Sequence, residues 1–205
     1  MLQPVPSSLD PAALASVSDN VPDGYRGVAR HLAALPGSEL LIVSHGLPSI
    51  PLYAAQAALA LGATRVDFAS ADAEQLALAE RLGAHPLETD LEERPARRYP
   101  IVVDAGLSAA GLHHAIRATE PEGICQSVSF HPGPGVSLPL GRMYTLGIRF
   151  FIGRCHAAAL LPEVVGLIAS GQLQPGSVTT RVVDWNDAAD AWLEPAIKLV
   201  VRRSG

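Results

Sequence analysis

Residues 39–51 read Glu-Leu-Leu-Ile-Val-Ser-His-Gly-Leu-Pro-Ser-Ile-Pro. Glu39–Ser44 is a short apolar run, bounded by Pro36-Gly37 before it and Gly46 after it. An unbroken run of that length fits a strand covered on both faces. Ser49–Leu61 is rich in Ala and Leu and stops at Gly62, which predicts a helix. Proline near its start is harmless, because the first turn's N–H groups have no partner within the helix. The stretch is therefore one strand, a glycine turn and a helix.

The same unit recurs downstream. Thr64–Ala69 is the next strand. Asp72–Leu82 is a helix with Glu74, Gln75, Glu80 and Arg81 on its exposed face. Residues 88–99 are charged, carry proline and read as a loop. Pro100–Asp104 is strand-like, Ser108–Arg117 helical and Gly123–Phe130 strand-like. Residues 131–139 form a Pro/Gly loop, Ile148–Ile152 a sixth strand and Ala157–Ser170 a helix. The tail reads as Val178–Asp184 extended, a short helix near Asp187–Leu193 and a last strand, Lys198–Arg202. Strands alternating with helices predict an α/β fold: a doubly wound, mostly parallel Rossmann-type sheet with helices on both faces. Upstream, residues 1–23 read as a lead-in segment in which Asp10 caps a short helix opened by Pro11. The domain is expected over 24–205, starting with a helix from Gly24 to about Leu35.

Composition narrows the function classes. With 48% hydrophobic residues the chain can bury a core without disulfide or metal staples. A formal charge of −5, with no Lys/Arg run beyond Arg97-Arg98 and Arg202-Arg203, argues against a nucleic-acid binder. Cys125 and Cys155 form no C-x-x-C pair, which fits a reducing cytoplasm. No apolar stretch is long enough for a membrane span, and Met1–Pro6 lacks the basic start of a secretory signal. The expectation is a cytoplasmic protein with neither a membrane nor a nucleic-acid partner.

A doubly wound sheet binds ligands at the carboxyl ends of its strands, near the switch point. Dinucleotide sites use a G-x-G-x-x-G turn there, so that backbone and helix N–H groups reach the pyrophosphate. Set from Gly46, that pattern meets Pro48 and Pro51 at its second and third positions. Proline adds bulk and has no N–H, so the helix can form while the phosphate cradle is impaired. The second strand of such a site ordinarily ends in an acidic residue that holds the ribose hydroxyls. Ser70 stands at that position, and Asp72 reads as the next helix cap. A small polar residue tolerates a 2′-phosphate, so the sequence favours NADP over NAD as the cofactor.

Several segments resemble the zinc-type alcohol dehydrogenases of the medium-chain dehydrogenase/reductase superfamily. They are Ser18–Arg26, Ser49–Ala55 with Leu61-Gly62-Ala63, Leu76–Ala84, Val103-Asp104-Ala105, Leu167–Leu173 and Lys198–Val201. The resemblance covers the family's nucleotide-binding domain. The barrel-like catalytic domain, with its Gly-His-Glu segment, and the four-Cys zinc lobe have no counterpart here. It implies an NAD(P)-dependent oxidoreductase acting on alcohols or carbonyl compounds with a catalytic domain or partner chain from elsewhere. It implies that His45, Gly46, Ser49 and Ile50 line the pyrophosphate, Ser70 the adenosine ribose, and that Arg154 approaches the nicotinamide. Asp19 aligns with a zinc ligand, but one carboxylate cannot hold a zinc that needs three protein ligands. In the family the strand matching Ile148–Ile152 pairs across a two-fold axis, which implies a homodimer.

Other residues invite bland readings. His113 and His114 point to different faces of one helix and make a poor metal pair. His131 opens the Pro/Gly loop beside the crevice. Cys125 reads as a small buried hydrophobe, and Trp185 and Trp192 as residues packing the tail helix onto the sheet. No Gly-x-Ser-x-Gly elbow supports a hydrolase triad. The alternative to the oxidoreductase is a degenerate, non-catalytic dimeric binding or scaffold module with an impaired dinucleotide site. A methyltransferase-like domain ranks last, because it too wants glycines and an acidic second-strand end.

Overall fold

In the computed structural model, which describes residues 4–203, Glu39–His45 forms β1 and its side chains divide between two cores. Leu40 and Ile42 join Leu52, Ala55, Val66, Phe68, Ile101 and Val103 on one face of the sheet. Leu41 and Val43 join Ala69, Val102, Leu112 and Ile116 on the other. A strand buried on both faces must be apolar throughout, as the sequence of β1 indicates.

The sheet holds β1, β2 (Arg65–Ser70), β3 (His85–Glu88), β4 (Tyr99–Gly106), β5 (Thr119–Ser127) and β6 (Arg149–Ile152). Their order is β3-β2-β1-β4-β5-β6, and every pairing is parallel. Strand order reverses between β1 and β4, the switch point of a Rossmann-type sheet. Helix α4 (Ile50–Ala60) follows β1, α5 (Ala73–Arg81) follows β2 and α6 (Ala109–Ala118) follows β4. Asp72 caps α5 by accepting from the N–H groups of Glu74 and Gln75, and Ser108 caps α6 through Gly111 N–H.

The N-terminal region departs from the expected lead-in. Asp10 does cap α1 (Pro11–Leu14). However, Val17 and Val21 are buried, and α2 (Asn20–Arg26) runs across the boundary drawn at residue 23. The helix expected from Gly24 to Leu35 is two pieces, α2 and α3 (Ala29–Ala34). Gly24 explains the close packing of α2 on α4: a Cβ there would sit 2.7 Å from the Ala54 nitrogen. Residues Met1–Gln3 of the secretory-signal reading, and the last two residues of the domain expected to end at 205, lie outside the described residues.

The sequence reading also passed over β3, which contains Pro86, and α7 (Leu140–Leu146). Proline is tolerated in β3 because the strand lies at the sheet edge. Beyond α8 (Ala157–Ala169), β7 (Arg181–Asp184) and β8 (Leu199–Arg202) form a separate two-stranded parallel sheet. Trp185 and Trp192 do not pack the short α9 (Ala188–Ala191) onto the main sheet. They are 61% and 77% exposed, beside exposed Leu193 and Val182. Among the described residues, no helix is long and apolar enough to cross a membrane.

Candidate functional site

The carboxyl ends of β1, β2 and β3 open onto two adjoining hollows. One, of about 590 Å³, is lined by His45, Gly46, Pro48, Ser70, Asp72 and Gln75. The other, of about 400 Å³, is lined by His45, Ala71, Glu88, Thr89, Asp90 and Glu92. His45 and Ala71 border both, so the two form one crevice along the strand ends. Gly46 has φ +82°, the left-handed region that glycine enters without strain. His45, exposed at the end of β1, gives its carbonyl to Leu107 N–H at 2.7 Å, tying β1 to β4 at the switch point.

Gln75 fills the inner side of this turn. Its Oε1 accepts from the Ser44 hydroxyl (2.5 Å) and the Ser70 hydroxyl (3.4 Å), and its Nε2 donates to Leu47 O (3.2 Å). Ser70 is buried and also accepts from Asp72 N–H (3.1 Å). Its hydroxyl is therefore engaged within the β2–α5 turn, while Ser70 still lines the hollow at the strand ends.

Ser49 and Ile50 face a different hollow, of about 300 Å³, with Asn20, Pro48, Trp192 and Lys198. Asn20 donates to Ser49 Oγ at 3.1 Å and so fixes the start of α4. Lys198, just before β8, lines the same hollow as the start of α4. Burial lowers its pKa against the opposing charge of Asp19, and among the described residues its ammonium lies within ion-pair distance of no carboxylate. A cation beside the free N–H groups of a helix start suits an anion. Pro51, within the first two positions of α4, removes one of those N–H groups.

The structure thus brings together His45, Gly46 and Ser70 in one hollow and Ser49 and Ile50 in the next, with Pro48 between them. Arg154 is exposed between β6 and α8 and lines neither. Asp19 is exposed at the start of α2, and among the described residues no group of three or more His, Cys, Asp or Glu side chains could hold a metal ion. Sequence reasoning missed Lys198, Gln75 and Glu88. Glu88 lies in a segment that reads as loop, and Lys198, distant in sequence from α4, shares a hollow with Ser49 and Ile50 only in the folded chain.

A third group lies at the ends of β4 and β5. Asp104, fully buried, accepts from the Ser127 hydroxyl (2.7 Å) and pairs with His131 Nε2 (2.9 Å). That hydrogen bond raises the His131 pKa against the opposing effect of burial. Elsewhere, burial lowers the pKa of His31 and His114 and pushes Cys125 up.

This topology, with a crevice at the switch point, defines a Rossmann-type α/β domain. In structure the chain is similar to zinc-type alcohol dehydrogenases of the medium-chain dehydrogenase/reductase superfamily. It matches the alcohol dehydrogenase TADH from Thermus sp. ATN1 with a TM-score of 0.85 and 25% identity, covering 98% of this chain and 61% of that one. A zinc-binding dehydrogenase from Sinorhizobium meliloti 1021, bound to NADP, matches with a TM-score of 0.79 and 21% identity, covering 96% and 61%. A protein described as a short chain alcohol dehydrogenase from Escherichia coli CFT073, complexed with NADH, matches with a TM-score of 0.79 and 18% identity, covering 99% and 62%. The chain therefore spans about three-fifths of the length of these proteins. No family model and no curated protein matches it.

Proposed function

We propose that the chain is the dinucleotide-binding part of an alcohol-dehydrogenase-like oxidoreductase. The observation that carries this reading is Lys198, a partly buried cation that makes no ion pair among the described residues and lines, with Ser49 and Ile50 at the start of α4, the hollow next to the switch-point crevice. The pyrophosphate would lie between Lys198 and the first turn of α4, with Asn20 holding Ser49 in place. The adenosine would lie along the His45–Ala71 side. A nicotinamide dinucleotide, when bound, supplies the hydride acceptor or donor. The chain's own residues bind and orient it, and a catalytic domain or partner chain completes the site for an alcohol or carbonyl substrate.

The two-stranded β7–β8 sheet supports the need for such a partner. Parallel sheets are normally covered on both faces, yet Val182, Trp185, Trp192 and Leu193 are exposed here. We also read β6, at the sheet edge with Phe151 and Ile152 exposed, as the seam of a homodimer. The scaffold reading draws on Pro48, Pro51 and the self-satisfied Gln75 turn, which leave fewer donors for phosphate. Calorimetric titration with NADH separates the two. Saturable binding that weakens about tenfold in Lys198→Ala, the loss of one charge-assisted contact, supports the dinucleotide site. Absence of binding by the wild type supports the scaffold.

A further inference from the structure

We propose that Glu88, at the end of β3, holds the adenosine ribose hydroxyls in place of the acidic residue missing from the end of β2, and that it makes the chain select NAD over NADP. The inference rests on the crevice being a dinucleotide site and names which dinucleotide that site takes.

The register places Glu88 for this role. Ser70 and Glu88 are direct partners in the parallel β2–β3 ladder, and the ladder continues one step further through Thr89 N–H to Ser70 O at 3.1 Å. Neighbouring strands lie about 4.8 Å apart, so a carboxylate moved from one strand end to the next stays within side-chain reach of the same ribose. Ser70 cannot do this work itself, because its hydroxyl is buried and already bonded within the β2–α5 turn. Asp72 is spent on capping α5, and Asp90 on capping its own turn through Glu92 N–H. Glu88 is exposed, lines the crevice, and among the described residues has neither a hydrogen bond nor an ion pair to its side chain. A free carboxylate with two oxygens suits the paired O–H donors of a ribose diol.

The same placement opposes a 2′-phosphate. Asp72, Glu88, Asp90 and Glu92 line the two hollows, and no Lys or Arg does. Arg65, Arg94 and Arg97 line a separate hollow against the sheet, for which Glu88, Thr89 and Asp90 form the shared wall. Arg65 is paired with Asp67 there, and Arg97 with Glu39. This reverses the preference for NADP drawn from Ser70 alone.

The test is calorimetric titration of the whole chain with NADH and with NADPH, for the wild type, Glu88→Gln and Glu88→Arg. Far-ultraviolet circular dichroism checks that each variant folds, which an exposed edge position favours. The wild type should bind NADH about 10- to 100-fold more tightly than NADPH, the scale of like-charge repulsion across a few ångströms of partly solvated site. Glu88→Gln should narrow that ratio by weakening NADH, and Glu88→Arg should turn it towards NADPH. Equal binding of both by the wild type, or a ratio unchanged in Glu88→Gln, overturns the assignment of Glu88 while leaving the crevice as a dinucleotide site. Binding of neither dinucleotide overturns the crevice reading, and this proposal with it.

Discussion

His131 Nε2 lies 2.9 Å from Asp104 Oδ2, and this imidazole is the only basic side chain paired with that fully buried carboxylate among the described residues. His131 adopts φ +44° and fastens the loop after β5 to the end of β4, where the β1–β4 switch point lies. The hydrogen bond and the charge of Asp104 favour the protonated imidazole, and burial opposes it. Its folded pKa is raised, so the stability it contributes is fully present below the ordinary histidine value and is lost as pH rises through the folded pKa. His31 and His114, whose pKa values are lowered by burial, act in the opposite direction: their contribution is lost as pH falls through their folded values. Comparing the wild type with His131→Gln isolates the pair. Urea unfolding should show a loss of about 1–3 kcal/mol at pH 6 that shrinks by pH 9. A constant difference across that range would refute the charged pairing.

Gly24 on α2 touches the chain at Ile50, Tyr53 and Ala54, where α4 begins and turns inward. Gly24→Ala places a methyl group 2.7–2.9 Å from those atoms, mostly backbone that cannot swing away. The expected cost is about 1–3 kcal/mol from overpacking. Because α4 carries the proposed phosphate site, weaker NADH binding should accompany the lower melting temperature. Unchanged stability would show that α2 and α4 can separate freely.

Pro48 and Pro51 occupy two turn positions where a dinucleotide site ordinarily has glycine. The double variant Pro48→Gly/Pro51→Gly restores two N–H groups and removes bulk. NADH should then bind about tenfold more tightly, the worth of one added hydrogen bond to a charged group. Calorimetry showing equal or weaker binding would place the pyrophosphate elsewhere.

The β6 edge offers Phe151 and Ile152 to a second copy, and Leu140 and Tyr144 of the preceding α7 are exposed as well. Sedimentation of the wild type should give a dimer, and Ile152→Lys, which puts a charge on that edge, should give a monomer. A monomeric wild type at micromolar concentration would remove β6 as an interface.

Much of this fold is written in local sequence. Buried parallel strands announce themselves as apolar runs, and Asp10, Asp72 and Ser108 cap the helices they precede. What stayed hidden depends on contacts distant in sequence. β3 is short and carries proline, so only its pairing with β2 reveals it, and Glu88 went unnoticed with it. Ser70 ends β2 as the strand pattern indicates, yet its hydroxyl turns to Gln75, a partner that the strand pattern does not expose. Lys198 lies far along the chain from Ser49, and the fold alone brings them to one hollow. Trp185 and Trp192 looked like core by residue type, but no layer covers them.

The central claim is that this crevice holds a nicotinamide dinucleotide, and a crystal structure of the chain grown with NADH tests it most directly. The account predicts pyrophosphate density between Lys198 and the first turn of α4, with the adenosine ribose beside Glu88. Saturating NADH that leaves the crevice empty, or that sits away from the ends of β1 and β2, would contradict it.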